Sequence, residues 1–431
     1  MGKSKWRDQK QADLVFNMLI QSKVPNSVKA ERQSITVSNL KYKTKFDISF
    51  DRCVDLLVAN ARFNSELPVS LQDKIGSESI FKAADKNLLK LGVVSDYIRK
   101  EEKEYIDKPQ IQYVLLTTLS IPYSKTLKNI THNKTTIVFC KRKPKGFQNE
   151  DAKNMADKMT MHKEVLARFV YVKVKVDARC QESAFVIAKS ELDFVVGVWN
   201  FTINLNAGIR KTFGIPERIN KIVYGPCHTL HREGGARDSS LFWYETHIHR
   251  KIKITDISDN YENCKVNERY IRSISKSGPL GNTIKTALIR YGSALDDEDM
   301  TGTFLKLWSL LELVTFVDSE SHLVVVHRAS QVYLDKQFMY ANIDYLRKKR
   351  NHVVHTGGEF DSSEKDAYSL LQIVNAVIRF LVNNFKLIPS IEEFKDILSL
   401  PLTVEEANEN RIGIEKQLEK YNFASKNGIY K

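Results

Sequence analysis

The feature that most constrains the fold of this chain is a segment near residue 310 that is apolar around most of a helix. Residues 304–316 read FLKLWSLLELVTF, and a second broad apolar stripe runs through residues 362–386. A helix that is apolar on nearly every side has to be surrounded by other helices, because water would otherwise contact its side chains. The C-terminal part of the chain is therefore predicted to be an all-α helical bundle.

One carboxylate, Glu312, falls on a face of this helix that should be dry, four residues after Trp308. An unpaired buried charge is strongly destabilising, so Glu312 needs a cationic partner. Arg350 and Arg328 are the candidates, because a guanidinium matches a carboxylate in a two-pronged geometry and keeps its charge. We favour Arg350 as the partner.

Between the two apolar segments, residues 345–355 read YLRKKRNHVVH, and two glycines follow at 357 and 358. Arg350, Asn351 and His355 form the pattern R-N-x-x-x-H, and Arg347 with His352 gives an overlapping match in a second register. The glycine pair predicts the end of a helix. The run of four cations at 347–350 also fits a solvated helix end that the helix dipole favours.

The R-N-x-x-x-H pattern resembles the motif of HEPN domains, and that resemblance implies the cleavage of RNA without a metal ion. That reaction needs one group to take the proton of the ribose 2'-hydroxyl and another to offset charge on the phosphate. His355 is the proposed general base or acid, Arg350 the phosphate clamp, and Asn351 a helper on the same helical face as His355. Arg350 and His355 lie five positions apart, about 140° around an ideal helix. Either the helix frays near residues 352–355, or a second copy of the chain completes the site.

Residues 285–390, about a quarter of the chain, resemble a HEPN domain and are similar to the ApeA-like group of that superfamily. The features that carry the resemblance are Leu307-Trp308, Leu311-Glu312-Leu313, Arg328-Ala329, the R-N-x-x-x-H pattern, and the glycine pair. The resemblance implies a helical bundle that acts as a metal-independent endoribonuclease, without a cofactor, in a bacterial anti-phage (abortive-infection) or toxin-type system. It also implies a homodimer with two facing motifs, and products that end in a 2',3'-cyclic phosphate and a 5'-hydroxyl. The alternative is a catalytically inactive HEPN module that binds RNA or a nucleotide as an adaptor.

A second group of candidate residues lies upstream of the bundle. Cys227, His228 and His231 are followed by His247 and His249, so a cysteine and three imidazoles could make a four-ligand zinc site. Recognised zinc modules show paired C-x2-C or H-x3-H spacings, which this chain lacks. A zinc-dependent enzyme therefore stays a minor alternative, and no metal is expected at the ribonuclease site.

The fold class expected from these patterns is multidomain: a mixed α/β, or α+β, N-terminal region followed by the all-α HEPN bundle. We expect the N-terminal region to span residues 1–275, with a subdivision near 145–160, the bundle to span 283–390, and a helical tail to span 391–431. The predicted helices lie at 8–22, 50–65, 78–104 and 182–199. The predicted strands lie at 111–122, 135–141, 169–176, 221–224 and 241–254.

The net charge of +14 belongs to the front of the chain. Residues 281–431 hold 18 basic and 21 acidic residues, which leaves 48 of the 66 basic and 31 of the 52 acidic residues for the first 280. If the protein binds RNA or another polyanion, the N-terminal region is expected to do much of the non-specific holding through phosphate contacts. The alternative is that lysine-rich surfaces such as residues 141–145 only keep the protein soluble. The N-terminal region is also expected to restrain the ribonuclease until a phage-derived trigger binds.

The location of the protein is predicted from its start, its apolar runs and its cysteines. The first residues are polar rather than those of a secretory signal, and no apolar run is long enough for a bilayer. The five scattered cysteines fit reduced thiols rather than a disulfide framework. The chain is thus expected to be cytoplasmic, with no membrane association.

Overall fold

The structure is a computed structural model that combines many helices with one six-stranded sheet. It describes residues 5–21, 50–147, 154, 163–205, 207–209, 212, 216–245, 254–257, 261–276, 278–315, 321–357 and 363–426. The predicted mixture of helices and strands is confirmed at this level. None of the helices in these ranges combines the length and the apolar content that crossing a bilayer requires.

The chain forms two compact units, the first made of Met1–Tyr113 with Val176–Ile187 and the second of Val114–Lys175 with Ala188–Lys431. The helices of the first unit are α1 (Gln9–Gln21), α2 (Phe50–Asn60), α3 (Val69–Asp85) and α4 (Leu91–Ile106). Each helix turns one apolar face inward, and Leu19, Leu57, Ile80 and Ile98 are fully buried in the shared core. Burial of these faces stabilises helices whose surfaces are otherwise polar.

The prediction of a single helix at 78–104 is wrong. The chain forms two helices there, with a break at residues 86–90. Asn87 adopts a left-handed conformation with φ of 53°. Its N–H donates to the Ala84 carbonyl, and the N–H of Leu88 donates to the Ala83 carbonyl. This pair of hydrogen bonds is a common helix end, in which the residue after the helix is left-handed and is usually glycine or asparagine. Asn87 is that residue, and it ends α3.

The second unit contains a sheet whose strand order is β2-β3-β4-β1-β5-β6. The strands are β1 (Ile111–Leu119), β2 (Ile130–His132), β3 (Thr135–Cys140), β4 (Val170–Ala178), β5 (Cys227–Arg232) and β6 (Arg237–Tyr244). The β2–β3, β3–β4 and β5–β6 pairs are antiparallel. On β4, Val170, Val172 and Val174 are buried while Lys173 and Lys175 are only half-buried, as the alternation predicts.

Strands β2 and β5 were not predicted from the sequence. The prediction of a strand at 221–224 is wrong. Only Tyr224 of that segment makes an isolated bridge, to Leu119. The buried side chain of Asn200 accepts from the N–H groups of Lys221 and Ile222 at 3.0 Å each and donates to the Ile222 carbonyl at 3.1 Å. An amide side chain thus takes the hydrogen bonds that a neighbouring strand would supply. Of the strand predicted at 241–254, residues 241–244 belong to β6 and residues 246–253 lie outside the described ranges.

The remaining helices of the chain are α5 (Lys163–Leu166), α6 (Gln181–Asn204), α7 (Tyr261–Ser275), α8 (Gly278–Leu295), α9 (Met300–Thr315), α10 (Leu323–Ser330), α11 (Lys336–Thr356), α12 (Ser363–Asn384), α13 (Ile391–Leu398) and α14 (Val404–Lys426). Helix α9 is central, because α8, α10, α11, α12 and α13 all pack against it. Phe304, Leu307, Trp308 and Leu311 are buried on it. The prediction that this apolar segment is surrounded by a helical bundle is confirmed.

The predicted division at residues 275–283 does not separate the two compact units, because the sheet and the bundle belong to the same one. Gly197 lies so close to α8 that a Cβ there would stand 2.3 Å from the Leu288 carbonyl oxygen. The side chain of Asn375 donates to the Asn204 carbonyl at 2.8 Å.

Part of the predicted tail also joins the bundle, since Phe394 on α13 is fully buried. Most of the predicted subdivision at 145–160 lies outside the described residues.

Candidate active site

The R-N-x-x-x-H pattern lies near the C-terminal end of α11. The carboxylate of Asp335 caps the first turn of this helix by accepting from the N–H of Phe338 at 3.0 Å. At the other end Gly357 is left-handed, with φ of 65°, and its N–H donates to the Val353 carbonyl at 2.8 Å. The predicted stop at Gly357 is confirmed, whereas residue 358 lies outside the described ranges. The helix is continuous from Arg350 through His355.

Arg350 occupies the inward face of this helix. It lies seven residues after Ile343 and three before Val353, both of which are buried. Its Nη2 is 3.7 Å from Glu312 Oε1 on α9, so the predicted pairing is confirmed. Arg328 instead donates to the Thr315 carbonyl at 2.5 Å and to Ser399 Oγ at 2.8 Å.

Three nitrogen atoms lie near the carboxylate of Glu312, one in a hydrogen bond and two at ion-pair distance. Its Oε1 accepts from Trp308 Nε1 at 2.8 Å and lies 3.2 Å from His322 Nδ1, in addition to Arg350. A guanidinium beside a carboxylate that is itself held by a tryptophan has a defined position. Sequence reasoning missed His322, because no motif spacing connects it to the R-N-x-x-x-H pattern.

The other three cations of the 347–350 run pair with carboxylates of the bundle. Asp344 lies 2.8 Å from both Arg347 Nε and Lys348 Nζ, and the hydrogen bond from Lys348, followed by that from Arg347, lowers the pKa of the Asp344 carboxyl. Lys349 Nζ lies 3.5 Å from the buried carboxylate of Asp366. Each cation of the run therefore has a partner, rather than being solvated only.

Asn351, His352 and His355 are reached from outside the bundle. Asn351 is half-buried and accepts from Arg350 Nη1 at 3.2 Å, while both histidines are exposed. Because the helix does not fray, Arg350 and His355 point about 140° apart in one copy of the chain. The structure brings Arg350, Glu312 and Asn351 together but leaves His355 apart from them.

The proposed zinc residues give no assembled metal site in the part of the chain that the structure describes. Cys227 and His231 are buried on β5, whereas His247 and His249 lie outside the described residues. Both ring nitrogens of His231 already have partners, the Gly235 carbonyl at 3.0 Å and Thr229 Oγ1 at 2.8 Å. Among the described residues no group of three or more His, Cys, Asp or Glu side chains is arranged to hold a metal ion.

No protein-family model matches the chain, and no curated protein or solved structure is significantly similar to it. Function therefore has to be inferred from the side chains themselves. Arg350, Glu312 and Asn351 form a polar cluster where α9 meets α11. The sequence pattern predicted this site, and the structure brings the three side chains together there.

Proposed function

We propose that the protein is a metal-independent endoribonuclease of the HEPN type that cleaves RNA by attack of a ribose 2'-hydroxyl. The observation that carries the proposal is the environment of Arg350. Its guanidinium is fixed beside Glu312 and Asn351, yet 24% of the side chain remains exposed. A cation that is both positioned and open to solvent can bind the phosphate at which negative charge grows during the reaction.

His355 is the proton-transfer group of this proposal. Its imidazole is exposed, and histidine is the side chain whose proton affinity lies nearest neutral pH. In the first step it takes the proton of the 2'-hydroxyl while that oxygen attacks the phosphorus, and the bond to the 5'-oxygen of the next nucleotide breaks. The leaving oxygen takes a proton from water, and the protonated His355 returns its proton to the solvent, so the products carry a 2',3'-cyclic phosphate and a 5'-hydroxyl. Asn351 shares the face of His355 and positions the imidazole or a phosphate oxygen.

In this proposal the active form of the protein is a homodimer. In one copy the guanidinium of Arg350 pairs with Glu312 on α9, while His355 is exposed and lies about 140° further around α11. A twofold arrangement that places the ends of two α11 helices side by side brings Arg350 of each copy near His355 of the other. Two equivalent composite sites then result.

Regulation belongs to the proposal, since an unrestrained ribonuclease would kill its host. Residues 1–275 hold the dimer inactive until a phage-derived component binds, and their basic excess holds RNA through its phosphates. Full activity of the purified, unstimulated protein would contradict this part of the proposal and leave the catalytic part standing.

The test is cleavage of labelled cellular RNA, with and without a chelator, followed by chemical identification of the fragment ends. Arg350→Ala and His355→Ala should abolish cleavage and growth toxicity, whereas Lys348→Ala, an exposed cation on the same helix, should change both less than about threefold. Arg347→Ala and His352→Ala should be mild if Arg350 and His355 form the active register. Cleavage that survives both alanine variants, or that requires a metal ion, would refute the assignment.

The divergence of Arg350 and His355 in one copy also favours a second candidate, a HEPN module that binds RNA or a nucleotide without cleaving it. Such an adaptor needs only the cationic surface and no imidazole. It would retain its function in the His355→Ala variant, and no fragment ends would form.

A further inference from the structure

The second unit contains a buried carboxylate that binds side chains from two other elements and that the proposed ribonuclease does not use. Glu191 on α6 accepts from His132 Nδ1, at the end of β2, at 2.6 Å and from Lys285 Nζ, on α8, at 2.7 Å. The His132, Glu191 and Lys285 side chains are 3%, 9% and 17% exposed. Burial raises the pKa of the Glu191 carboxyl, but the hydrogen bonds from His132 and Lys285 outweigh burial and lower it. Glu191 is therefore an anion that orients the imidazole.

The orientation of His132 leaves its second nitrogen for another partner. Because Nδ1 faces Glu191, Nε2 is the remaining nitrogen, and no described residue forms a hydrogen bond with it. His132 lines two cavities of about 490 and 340 Å³, which also share Asn133 and Ser275 as lining residues. A nearly buried ring with one nitrogen fixed by a carboxylate is thus placed where two cavities meet.

The walls of these cavities are cationic. Lys128, Arg272 and Lys276 line the larger cavity and Lys285 lines the smaller one. Among the described lining residues Glu268 is the single carboxylate, and it pairs with Arg272. The smaller cavity also borders the first turn of α8, an 18-residue helix. The N–H groups of Gly278, Leu280 and Gly281 there have no helical acceptor, and Pro279 has no N–H. Among the described residues that line either cavity there is no Phe, Tyr or Trp to stack on a base.

We propose that these two cavities form a pocket for the phosphate group of a small ligand, separate from the α11 motif and independent of the proposed ribonuclease. The phosphate oxygens accept from the first turn of α8 and from Lys276, and His132 Nε2 forms a hydrogen bond with the same group. Lys128 extends the cationic wall toward a second phosphate. Recognition rests on charge, because the described lining residues include no Phe, Tyr or Trp for a nucleobase to stack on.

Equilibrium binding to the full chain, measured by calorimetry at constant ionic strength, tests this pocket with inorganic phosphate, pyrophosphate and adenosine. Phosphate and pyrophosphate should bind and adenosine should not. The double variant Lys128→Glu and Lys276→Glu, which changes two exposed side chains, should weaken binding at least about tenfold. Lys265→Glu changes an exposed lysine of α7 that lies outside both cavities, and it should change affinity less than about twofold.

His132→Gln is the second variant, since glutamine can still donate to Glu191 but places no ring nitrogen in the pocket. It should weaken phosphate binding about tenfold while the circular dichroism spectrum stays that of the wild type. Comparison of ATP with tripolyphosphate identifies the source of the phosphate: equal affinities support free phosphates, and tighter ATP binding supports a nucleotide. Absence of phosphate and pyrophosphate binding by the wild type, equally tight adenosine binding, or unchanged affinity of the Lys128 and Lys276 double variant would overturn the proposal.

Discussion

The pairing of Glu312 with Arg350 can be measured as a coupling free energy, because both side chains have substitutions that remove charge and little else. Glu312→Gln keeps an oxygen that can accept from Trp308 Nε1, and Arg350→Met keeps the apolar stem of the side chain. A cycle of the two single variants and the double variant isolates the interaction between the two charges from their other contacts.

The geometry sets the expected size of this coupling. At the observed 3.7 Å between Arg350 Nη2 and Glu312 Oε1, the Coulomb energy is about 1 kcal/mol in water and about 4 kcal/mol at the effective dielectric near a protein surface. The side chains are 24% and 19% exposed, so solvent screens part of the attraction, and His322 shares the same carboxylate oxygen. We expect a coupling of about 1 to 1.5 kcal/mol, above the range of fully exposed pairs.

Urea unfolding followed by intrinsic fluorescence gives the free energies of unfolding for this cycle. Arg411 and Glu415 on α14 provide a matched control, because their atoms are 3.8 Å apart but their side chains are 66% and 60% exposed. That pair should couple by about 0.3 to 0.5 kcal/mol. A coupling at Glu312 and Arg350 no larger than the control value would refute the view that the bundle holds the guanidinium in place.

Three further substitutions test the packing of the second unit. Glu191→Gln leaves the buried Lys285 without its anion and should cost about 2 to 3 kcal/mol at pH 7 in urea unfolding. Because the pKa of Glu191 is lowered below its usual 4.5, this stabilisation is complete above that value and is lost as the pH falls through the lowered pKa. Asn200→Ala leaves three backbone groups without their partner and should lower the free energy of unfolding by about 3 kcal/mol. Gly197→Ala drives a methyl group into the Leu288 carbonyl and should lower the melting temperature by several degrees.

Each of these substitutions has a control or a contradicting outcome. A Glu191→Gln penalty that stays the same at pH 3 and pH 7 would show that charge is not the cause. Asn200→Leu fills the same space without hydrogen bonds, so it should cost about as much as alanine if hydrogen bonding to the backbone dominates and clearly less if packing does. Gly292→Ala serves as the control for Gly197, because a Cβ at position 292 meets its nearest neighbour at an ordinary 3.6 Å. Equal losses at positions 197 and 292 would contradict the steric explanation.

The parts of the fold that sequence alone could predict are those in which apolar periodicity is long and uninterrupted. The apolar run at 304–316 falls largely within α9, and the stripe at 362–386 became α12, because only burial satisfies such patterns. β5 was missed because its buried residues include His228 and His231, whose ring nitrogens bind neighbouring polar groups instead of water. A strand stabilised in this way has no apolar signature.

The same distinction explains how much of the candidate site was predictable. Glu312 could be matched with Arg350 because a carboxylate on a dry face demands a cation, which is a local argument. His322 could not be found, since its approach to Glu312 depends on how α10 packs against α9. His132 and Glu191 are 59 residues apart, and their hydrogen bond exists only because β2 and α6 meet in the fold. Contacts of that kind leave no spacing pattern in a sequence.

The separation of Arg350 from His355 leads to the most demanding test of the proposed function. If each active site takes Arg350 from one copy and His355 from the other, a dimer of one Arg350→Ala chain and one His355→Ala chain has one intact site and one that lacks both groups. Mixing equal amounts of the two inactive variants should then restore about one quarter of the wild-type cleavage rate, since half of the dimers are mixed and each has one of two sites. Mixing Arg350→Ala with the double variant that lacks both side chains should restore nothing. If a single copy supplied both groups through a local rearrangement of α11, no mixture of the two inactive variants would regain activity, and the composite site would be excluded.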